Sequence, residues 1–211
     1  MTDNRAAWDV AYQRRGQLYG GAAPKIEGLR PGARVLELGC GSGKNAFPLL
    51  AQGHEVIALD FSRPAVIAAK TAIAPSTGGH IIVADAREIP VKAGSCDAVI
   101  ARHVIGHLNS GGRNAASAEI CRVLRTGGVL HFSAFSREDF RCGQGECTED
   151  GTFLRGTGIS THYFTGDEVR SLFSLLTCKS LHTVTWPLVV RGKEYRRSEV
   201  HGIFIRQELS F

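Results

Sequence analysis

Short apolar runs alternate with helical patterns over the first two thirds of the chain. Five apolar runs predict buried strands, and the segments Lys44 to Gln52, Arg63 to Ile73 and Ala115 to Leu124 predict helices. The predicted strands are ARVLEL (33–38), HEVIALD (54–60), HIIVAD (80–85), CDAVIARH (96–103) and VLHFSAF (129–135). Because strands that alternate with helices favour parallel pairing, the pattern predicts an α/β fold with helices on both faces of the sheet.

The pattern changes after Phe135. Residues 136–161 contain Gly, Thr, Glu and Arg and have little periodicity, so they predict a long loop that is either functional or disordered. The segment from Thr165 to Leu176 then predicts a helix. Thr165 is its expected N-cap, and Glu168 three residues later completes a capping box.

Two further apolar segments predict an antiparallel pair of strands at one edge of the sheet. They are SLHTVTWPLVV (180–190) and SEVHGIFIRQEL (198–209). The connection RGKEYRR (191–197) carries four cationic residues, which favours a solvated hairpin tip over an anion-binding arm. The whole chain has 25 Lys and Arg against 20 Asp and Glu, and this net charge of +5 permits an anionic substrate without requiring nucleic acid.

Composition places the chain among globular domains. It has 211 residues, of which 43% are apolar and 21% charged, enough for one domain with a full core. We expect a single domain over 1–211, with an N-terminal cap region (1–30), a core (31–135), a lid insert (136–164) and a C-terminal helix and strand pair (165–211). No apolar run approaches the ~18–20 residues of a membrane span, and the N-terminus has no signal-peptide core, so we expect a cytoplasmic protein without a membrane partner.

The six cysteines are scattered, which favours reduced thiols over a disulfide framework. Cys142 and Cys147 could bind a metal together with His162, or a soft metalloid together with Cys178, because thiolates suit such ions. A structural zinc site usually has four ligands at tighter spacing, so no metal is expected. The cysteines are Cys40, Cys96, Cys121, Cys142, Cys147 and Cys178.

The strongest functional signal is VLELGCGSGKN, from Val35 to Asn45, in which a buried strand leads through a glycine loop into a helix. Glycines let a ligand approach the backbone closely. The next strand ends at Asp60, seventeen residues after Gly43, where a carboxylate can accept hydrogen bonds from both ribose hydroxyls of a nucleoside. The third strand ends at Asp85. These positions share the carboxyl edge of the sheet, where open α/β folds bind ligands.

The spacing of the glycines bears on which nucleotide could bind. Gly39, Gly41 and Gly43 form G-x-G-x-G, whereas nicotinamide and flavin sites use G-x-G-x-x-G. Glu37 precedes the loop, where a carboxylate would be poorly placed beside a pyrophosphate but suits a cationic ligand. A nicotinamide enzyme therefore remains a rival reading, although a less favoured one.

The combined motif resembles the class I S-adenosylmethionine-dependent methyltransferases over roughly residues 30–135. The resemblance rests on E-x-G-x-G-x-G, on Asp60 and Asp85, on a fourth strand entered by Cys96-Asp97, and on TGGVLHFSAF (126–135). It implies a Rossmann-like sheet of seven strands, mostly parallel, in the order 3-2-1-4-5-7-6 with the last strand antiparallel. It also implies S-adenosyl-L-methionine as methyl donor, with S-adenosyl-L-homocysteine as product.

The resemblance further implies a set of residues that bind the donor. Glu37 and the backbone of the glycine loop would hold the methionine moiety, and Asp60 the ribose. Phe61 would flank the adenine, and Asp85 with Ala86 would read its edge. The full set of expected donor-binding residues is Tyr12, Glu37, Gly39, Cys40, Gly41, Gly43, Asp60, Phe61, Asp85, Ala86 and Arg102.

Three segments suggest where an acceptor would bind. ARHVIGHL (101–108) is similar to a stretch of small-molecule methyltransferases, and it would place His103 beside the donor. The N-terminal W-D-x-x-Y-x-x-x-G-x-x-Y-G resembles the leading helix of the tellurite- and thiopurine-type enzymes, and the stretch 145–165 resembles an insert in small prokaryotic members. His103 and His162 are the candidate general bases. Tyr19, His107 and Tyr163 are the candidate substrate contacts, although the pattern favours His107 as a packed helix residue.

These observations favour methyl transfer to a small-molecule acceptor. RNA or protein is the alternative acceptor, and a non-catalytic protein that binds S-adenosylmethionine is a second alternative. The N-x-P-aromatic motif used on exocyclic amino groups of bases is absent from the sequence. This absence argues against base methylation without excluding RNA, and a nucleic acid is not expected as a partner. The acceptor atom, the need for a general base and the oligomeric state stay open.

Overall fold

A seven-stranded sheet organises the chain in the computed structural model, which describes residues 4–16, 26, 28–72 and 78–208. The strand order is β3-β2-β1-β4-β5-β10-β9. The first five strands of this order pair in parallel, and β10 is antiparallel to both β5 and β9. The predicted fold class and strand order are thus confirmed. The strands are β1 Arg34–Leu38, β2 Glu55–Asp60, β3 Gly79–Val83, β4 Cys96–Arg102, β5 Leu124–Phe135, β6 Glu146–Glu149, β7 Thr152–Leu154, β8 Ser160–His162, β9 Thr177–Val190 and β10 Lys193–Ile205.

Helices cover both faces of this sheet. The capping box predicted at Thr165 is confirmed, since its side chain accepts from the Glu168 backbone N–H while the Glu168 side chain accepts from that of Thr165. No helix in the described ranges has the length and apolar character that crossing a membrane requires. The helices are α1 Arg5–Arg15, α2 Ala46–Ala51, α3 Arg63–Ala72, α4 Ser110–Val123 and α5 Gly166–Leu172, with a 3₁₀ turn at Ile105–His107.

The core forms because the central strands are apolar on both faces. Successive side chains of a strand point to opposite faces, so Val35 and Leu36 enter two separate buried clusters. Six of the seven residues of β4 are buried. A sheet covered on both sides in this way leaves the loops at its carboxyl edge as the place for a ligand.

A charged clamp holds the opposite, amino-terminal edge. Asp97 at the start of β4 accepts two hydrogen bonds of 2.9 Å from Arg30, one of 2.8 Å from the Arg34 backbone and one of 2.6 Å from Arg125. Burial acts to raise the pKa of Asp97, but these donors outweigh it and lower the pKa to about 2. The clamp fixes the entry of β4 without touching the carboxyl edge.

The insert differs from its sequence-based prediction. Residues 136–161 predict a loop, but they contain most of a small antiparallel sheet in the order β6-β7-β8. These strands form, although their sequence shows little periodicity, because they pair with one another, for example with Thr152 of β7 opposite His162 of β8. The Phe164 backbone N–H donates to the Phe135 carbonyl, and the Arg137 backbone N–H donates to the Phe164 carbonyl, which joins the segment after β8 to the end of β5.

The closing hairpin is longer than predicted. The prediction that all seven residues of RGKEYRR connect the two strands is wrong, because only Arg191 and Gly192 join β9 to β10. Both have positive φ, 50° and 77°, which suits the two-residue turns that match strand twist. Lys193 to Arg197 therefore belong to β10, where their side chains alternate between the two faces of a strand.

Candidate functional site

A cavity of about 750 Å³ lies at the carboxyl edge of β1, β2, β3 and β4. This volume is in the upper part of the ~300–1,000 Å³ range of small-ligand sites. Eleven of the sequence-predicted site residues line it: Tyr12, Gly39, Cys40, Gly41, Asp60, Phe61, Asp85, Ala86, Arg102, His103 and His107. Four described ones, Glu37, Gly43, His162 and Tyr163, are not on its wall. Tyr19 lies outside the described residues.

The glycine loop, residues 39–43, follows β1 in a conformation that requires glycine. Gly41 has φ 53°, and a Cβ there would lie 2.6 Å from Oη of Tyr12. Gly39 has φ 66°, and a Cβ there would lie 2.8 Å from the Val104 side chain. The loop is therefore packed between α1 and the segment after β4. Residues 39–42 of the loop line the cavity.

Asp60 ties this loop to the second strand. Its Oδ2 accepts a 2.9 Å hydrogen bond from the Gly41 backbone, and its Oδ1 accepts one of 2.9 Å from Ser62. Burial raises the pKa of Asp60, although the backbone donors act against that rise. Each oxygen keeps a further lone pair, so the carboxylate can still accept hydrogen bonds from ligand hydroxyls.

Glu37 lies behind the wall of the cavity. Its Oε1 accepts a 2.8 Å hydrogen bond from Asn45, which does line the cavity, and its buried Oε2 has no hydrogen-bond partner among the described residues. Burial raises the pKa of Glu37 to about 7. A buried carboxylate oxygen without a partner fits a cationic group such as an ammonium. Glu37 and the open glycine loop together thus fit a donor with a cationic amino acid moiety.

Asp85, which follows β3, lines the cavity, and its negative charge is balanced by Arg87. Arg87 donates to it from its backbone at 2.9 Å and from its guanidinium at 2.6 and 2.9 Å. Burial acts to raise the pKa of Asp85, but the contacts with Arg87 lower it overall. Ala86 beside it is buried. The reading of an adenine edge by this pair stays a prediction.

Two separate segments form a cover over the cavity, namely α1 and the small sheet β6-β7-β8. Asn4 joins them, because its side chain donates to the His107 carbonyl at 2.9 Å and accepts from the Ser160 backbone at 3.4 Å. Nδ1 of His107 lies 2.8 Å from the Ser160 carbonyl, and Trp8 packs edge-on against the His107 ring at 4.8 Å. Burial lowers the pKa of His107 to about 4, so it is a neutral packing residue at the cavity wall.

Glu149 fastens the cover to the helix layer. Its carboxylate accepts from the Ser110 backbone N–H at 3.0 and 3.2 Å, at the N-terminus of α4, and lies 3.3 Å from the Arg113 guanidinium. Glu149 also lines the cavity. The strand β6 is thereby held where it closes one side of the site.

The β4–β10 wall, made of Arg102, His103, Phe135 and Glu199, forms another side of the cavity. His103 adopts φ 53°, and its Nε2 lies 3.1 Å from Oε1 of Glu199. Nε2 of His201 lies 3.0 Å from the other oxygen of Glu199, and the His103 ring lies 4.5 Å from that of Phe135. Burial acts to raise the pKa of Glu199, but its two histidine partners outweigh it and lower the pKa to about 2.

His162 is buried behind the cavity wall. Its Nδ1 is 2.8 Å from the hydroxyl of Thr152, which does line the cavity, and its Nε2 is 3.6 Å from Glu168. Burial lowers the pKa of His162 to about 4. Tyr163 is also buried, with its ring 6.3 Å from Phe135. A base role for His162 and a substrate role for Tyr163 stay predictions, and this conformation gives neither residue direct access to the cavity.

Sequence reasoning did not single out several wall residues, among them Phe135, Glu149, Thr152 and Glu199. Glu199 comes to the site only because β10 pairs antiparallel with β5, with Glu199 opposite Phe135. Glu149 and Thr152 arrive through the small sheet of the insert. A local motif search cannot find such residues, since their places depend on long-range strand pairing.

Comparison with known proteins identifies relatives of the chain. A family model described as "Methyltransferase domain" matches residues 36–132. The tRNA N(3)-cytidine methyltransferase METTL2 of Danio rerio is 32% identical over 161 residues, which is 68% of this chain and 45% of that protein. The same enzyme of Bos taurus is 29% identical over 67% of this chain and 40% of its own length. The chain thus spans less than half the length of these relatives.

Solved structures share the fold. A Methanosarcina mazei structure described as a SAM-dependent methyltransferase superposes with TM-score 0.70 at 23% identity, covering 85% of this chain and 95% of that one. A Burkholderia thailandensis N1-methyltransferase with bound 1,6-didemethyltoxoflavin and S-adenosylhomocysteine gives TM-score 0.64 at 19% identity, covering 97% and 78%.

The relatives overturn one expectation from the sequence. A nucleic acid was not expected as a partner, and this is wrong, because the relatives named above act on tRNA. The missing N-x-P-aromatic motif serves exocyclic amino groups. N3 of cytosine is a ring nitrogen with its own lone pair, so the absence of that motif says nothing about it.

Proposed function

We propose that this chain, which carries a class I S-adenosyl-L-methionine-dependent methyltransferase domain, methylates RNA at the ring nitrogen N3 of a cytosine in tRNA. The family resemblance and the donor that it implied are confirmed by the domain match and the fold. The main support for cytosine in tRNA as the acceptor is the similarity of the chain to tRNA N(3)-cytidine methyltransferases. The cavity, its cover and the adjoining strand β10 add support.

The residues at the first three strands fit the donor. The backbone of the glycine loop and Glu37 would hold its amino acid moiety, and Asp60 would hold the ribose hydroxyls. The donor, when bound, supplies a methyl group made electrophilic by the attached sulfonium. The protein has to position the acceptor against this group and exclude water.

The chemistry of the acceptor decides whether a base is needed. A general base serves only an acceptor that must lose a proton. N3 of cytosine offers a lone pair and carries no proton, so neither His103 nor His162 has to act as a base. The contacts seen for these residues agree with that: Nε2 of His103 faces Glu199, and Nδ1 of His162 faces Thr152.

One face of β10 offers a path for an RNA chain that leads away from the cavity. Glu199, Arg197, Tyr195 and Lys193 alternate along the strand and therefore share a face. The Arg197 guanidinium lies 4.7 Å from the ring of Phe135 in the β4–β10 wall, and the Lys193 ammonium lies 5.3 Å from the ring of Tyr195. Arg197 is largely buried and paired with Asp139 at 2.6 Å, so the exposed Lys193 is the cation of this face that can approach a phosphate, while the aromatic rings suit unstacked bases.

Transfer of labelled methyl groups tests this proposal. The protein is incubated with S-adenosyl-L-methionine that carries a radiolabelled methyl group, and with either total RNA or a small-metabolite extract. We expect acid-precipitable label in RNA that ribonuclease releases, and loss of this label in Asp60→Ala. Label confined to the metabolite extract, or no transfer to either fraction, contradicts the proposal.

A further inference from the structure

Resting on the proposed function, we propose that Glu199 and Arg102 read the hydrogen-bonding edge of the acceptor base and select cytosine. Both side chains line the cavity. Arg102 is the last residue of β4, and Glu199 lies on β10. The strand between them is β5, where Ser133 is opposite Arg102 and Phe135 is opposite Glu199. The sheet thus presents one cationic and one anionic residue on the same face, two strands apart.

Glu199 is held firmly and still has capacity to accept. His103 contacts one of its oxygens at 3.1 Å and His201 contacts the other at 3.0 Å. Each carboxylate oxygen has two lone-pair sites, so each can accept one more hydrogen bond. The low pKa of about 2 keeps the group ionised at neutral pH. His103 is itself fixed by the ring of Phe135 and by a 2.8 Å hydrogen bond from its backbone to the Ser133 carbonyl.

Arg102 supplies the complementary donor. Its Nε is buried, and no hydrogen-bond acceptor for it occurs in the described part of the chain. Burial acts to lower the pKa of Arg102, while Glu199 and Glu37 act to raise it, and a guanidinium stays charged in proteins. A buried hydrogen-bond donor without a partner is energetically unfavourable, so a ligand oxygen that accepts from Nε of Arg102 would remove this penalty.

The edge of cytosine matches this pair of groups. Its exocyclic N4 amino group is a donor, its O2 is an acceptor, and N3 lies between them. Glu199 would accept from N4, a pairing that carboxylates make with cytosine, and Arg102 would donate to O2. Uracil is rejected because its O4 would face the carboxylate of Glu199 and because its N3 carries a proton.

The same pair suits the charge change during transfer. The N3 lone pair forms the bond to the methyl carbon, and the carbon–sulfur electron pair leaves with sulfur. No proton is released in this step, and the positive charge passes from sulfur to the base. Since that charge spreads onto N4, the carboxylate of Glu199 would bind the product-like base more strongly than the starting base.

Glu199→Gln tests the assignment, because it keeps the shape and removes the charge. Steady-state transfer to tRNA and donor affinity by calorimetry are measured for this variant, and Arg102→Lys provides a second test. The control is Glu55→Gln, which removes a carboxylate paired with Arg34 at 2.8 Å at the start of β2, far from the cavity. We expect kcat/KM for tRNA to fall roughly tenfold to a hundredfold in Glu199→Gln, with donor affinity unchanged and the control like wild type.

Each other result has a distinct meaning. If wild type methylates cytosine in tRNA and both site variants do so equally well, the assignment is overturned while the proposed function stands. An equal loss of donor affinity would show that Glu199 acts through the donor site, which also overturns the assignment. If wild type transfers no methyl group to RNA, the proposed function itself fails.

Discussion

Gly41→Ala tests whether the glycine loop must pack as the structure shows. The added Cβ would lie 2.6 Å from Oη of Tyr12, while the next Tyr12 atoms are 3.5 and 3.7 Å away, at ordinary contact distance. Tyr12 is buried on α1 beside Trp8, so its ring cannot simply swing into solvent. The substitution should therefore push α1 away from the loop and open the cover.

The expected magnitude has two parts. Alanine at φ 53° incurs backbone strain of about 1–2 kcal/mol. The contact with Tyr12 adds a steric penalty, which α1 relieves only by giving up its packing. If the bound state needs the packed loop, strain of this size corresponds to roughly a 5- to 30-fold loss of donor affinity, and the steric part increases the loss.

Two further variants separate these parts. Gly53→Ala has the same kind of strain at φ 81°, but nothing lies within 4 Å of its Cβ. Tyr12→Phe removes the clashing oxygen, so Gly41→Ala in that background should recover the steric part alone. Calorimetric titration with S-adenosyl-L-homocysteine measures affinity, and thermal unfolding measures stability. The reasoning is refuted if Gly41→Ala binds as tightly as Gly53→Ala, or if Tyr12→Phe restores nothing.

Three other predictions follow from two charged side chains and from the cover over the cavity. Asp97→Asn should lower the free energy of unfolding by about 1.5–3 kcal/mol in urea titrations near pH 7 without changing donor affinity. Because the pKa of Asp97 in the folded state is about 2, below its usual 3.8, the stability that Asp97 adds is present above about pH 4 and is lost as the pH falls towards 2. A difference in stability that does not depend on pH would contradict this prediction. Donor affinity should rise between pH 5 and 7 as Glu37, with a pKa of about 7, ionises, and Glu37→Gln should flatten this profile; an unchanged profile would remove Glu37 from donor binding. Bound S-adenosyl-L-homocysteine should slow amide exchange in α1 and in residues 146–162 more than in the buried strands, and equal rates with and without ligand would show that the cover does not close.

Local patterns were sufficient to predict that the glycine loop and Asp60 lie together at the cavity. The glycine loop and Asp60 lie within one strand–loop–helix–strand segment, so their spacing already places them at one edge of the sheet. The contact between Tyr12 and the glycine loop could not be predicted from motif spacing, because Tyr12 lies on α1, which is remote from the loop in sequence. Glu37 shows the limit of the motif, because its place before the glycine loop predicts a donor contact but the structure puts it behind the cavity wall rather than on it.

The side of the cavity where we propose that the acceptor binds depends on contacts that no local pattern encodes. Glu199 stands in an apolar strand segment, and only the register of β10 against β5 turns it into a wall residue. Thr152 reaches the wall through the small sheet of the insert, a segment whose irregular sequence predicts a loop. His162, which the sequence offers as a base, is separated from the cavity by the same Thr152. Strand register therefore decides which side chains an acceptor would meet.

Mass spectrometry of the nucleosides released from tRNA shows directly whether the protein methylates N3 of cytosine. Unmodified tRNA is incubated with the protein and S-adenosyl-L-methionine, digested to nucleosides and compared with a reaction that contains Asp60→Ala. The account predicts that 3-methylcytidine accumulates with wild type in proportion to time and enzyme, and is absent with the variant. Methylation of another nucleoside, or an unchanged set of nucleosides from a protein that binds the donor, would contradict it.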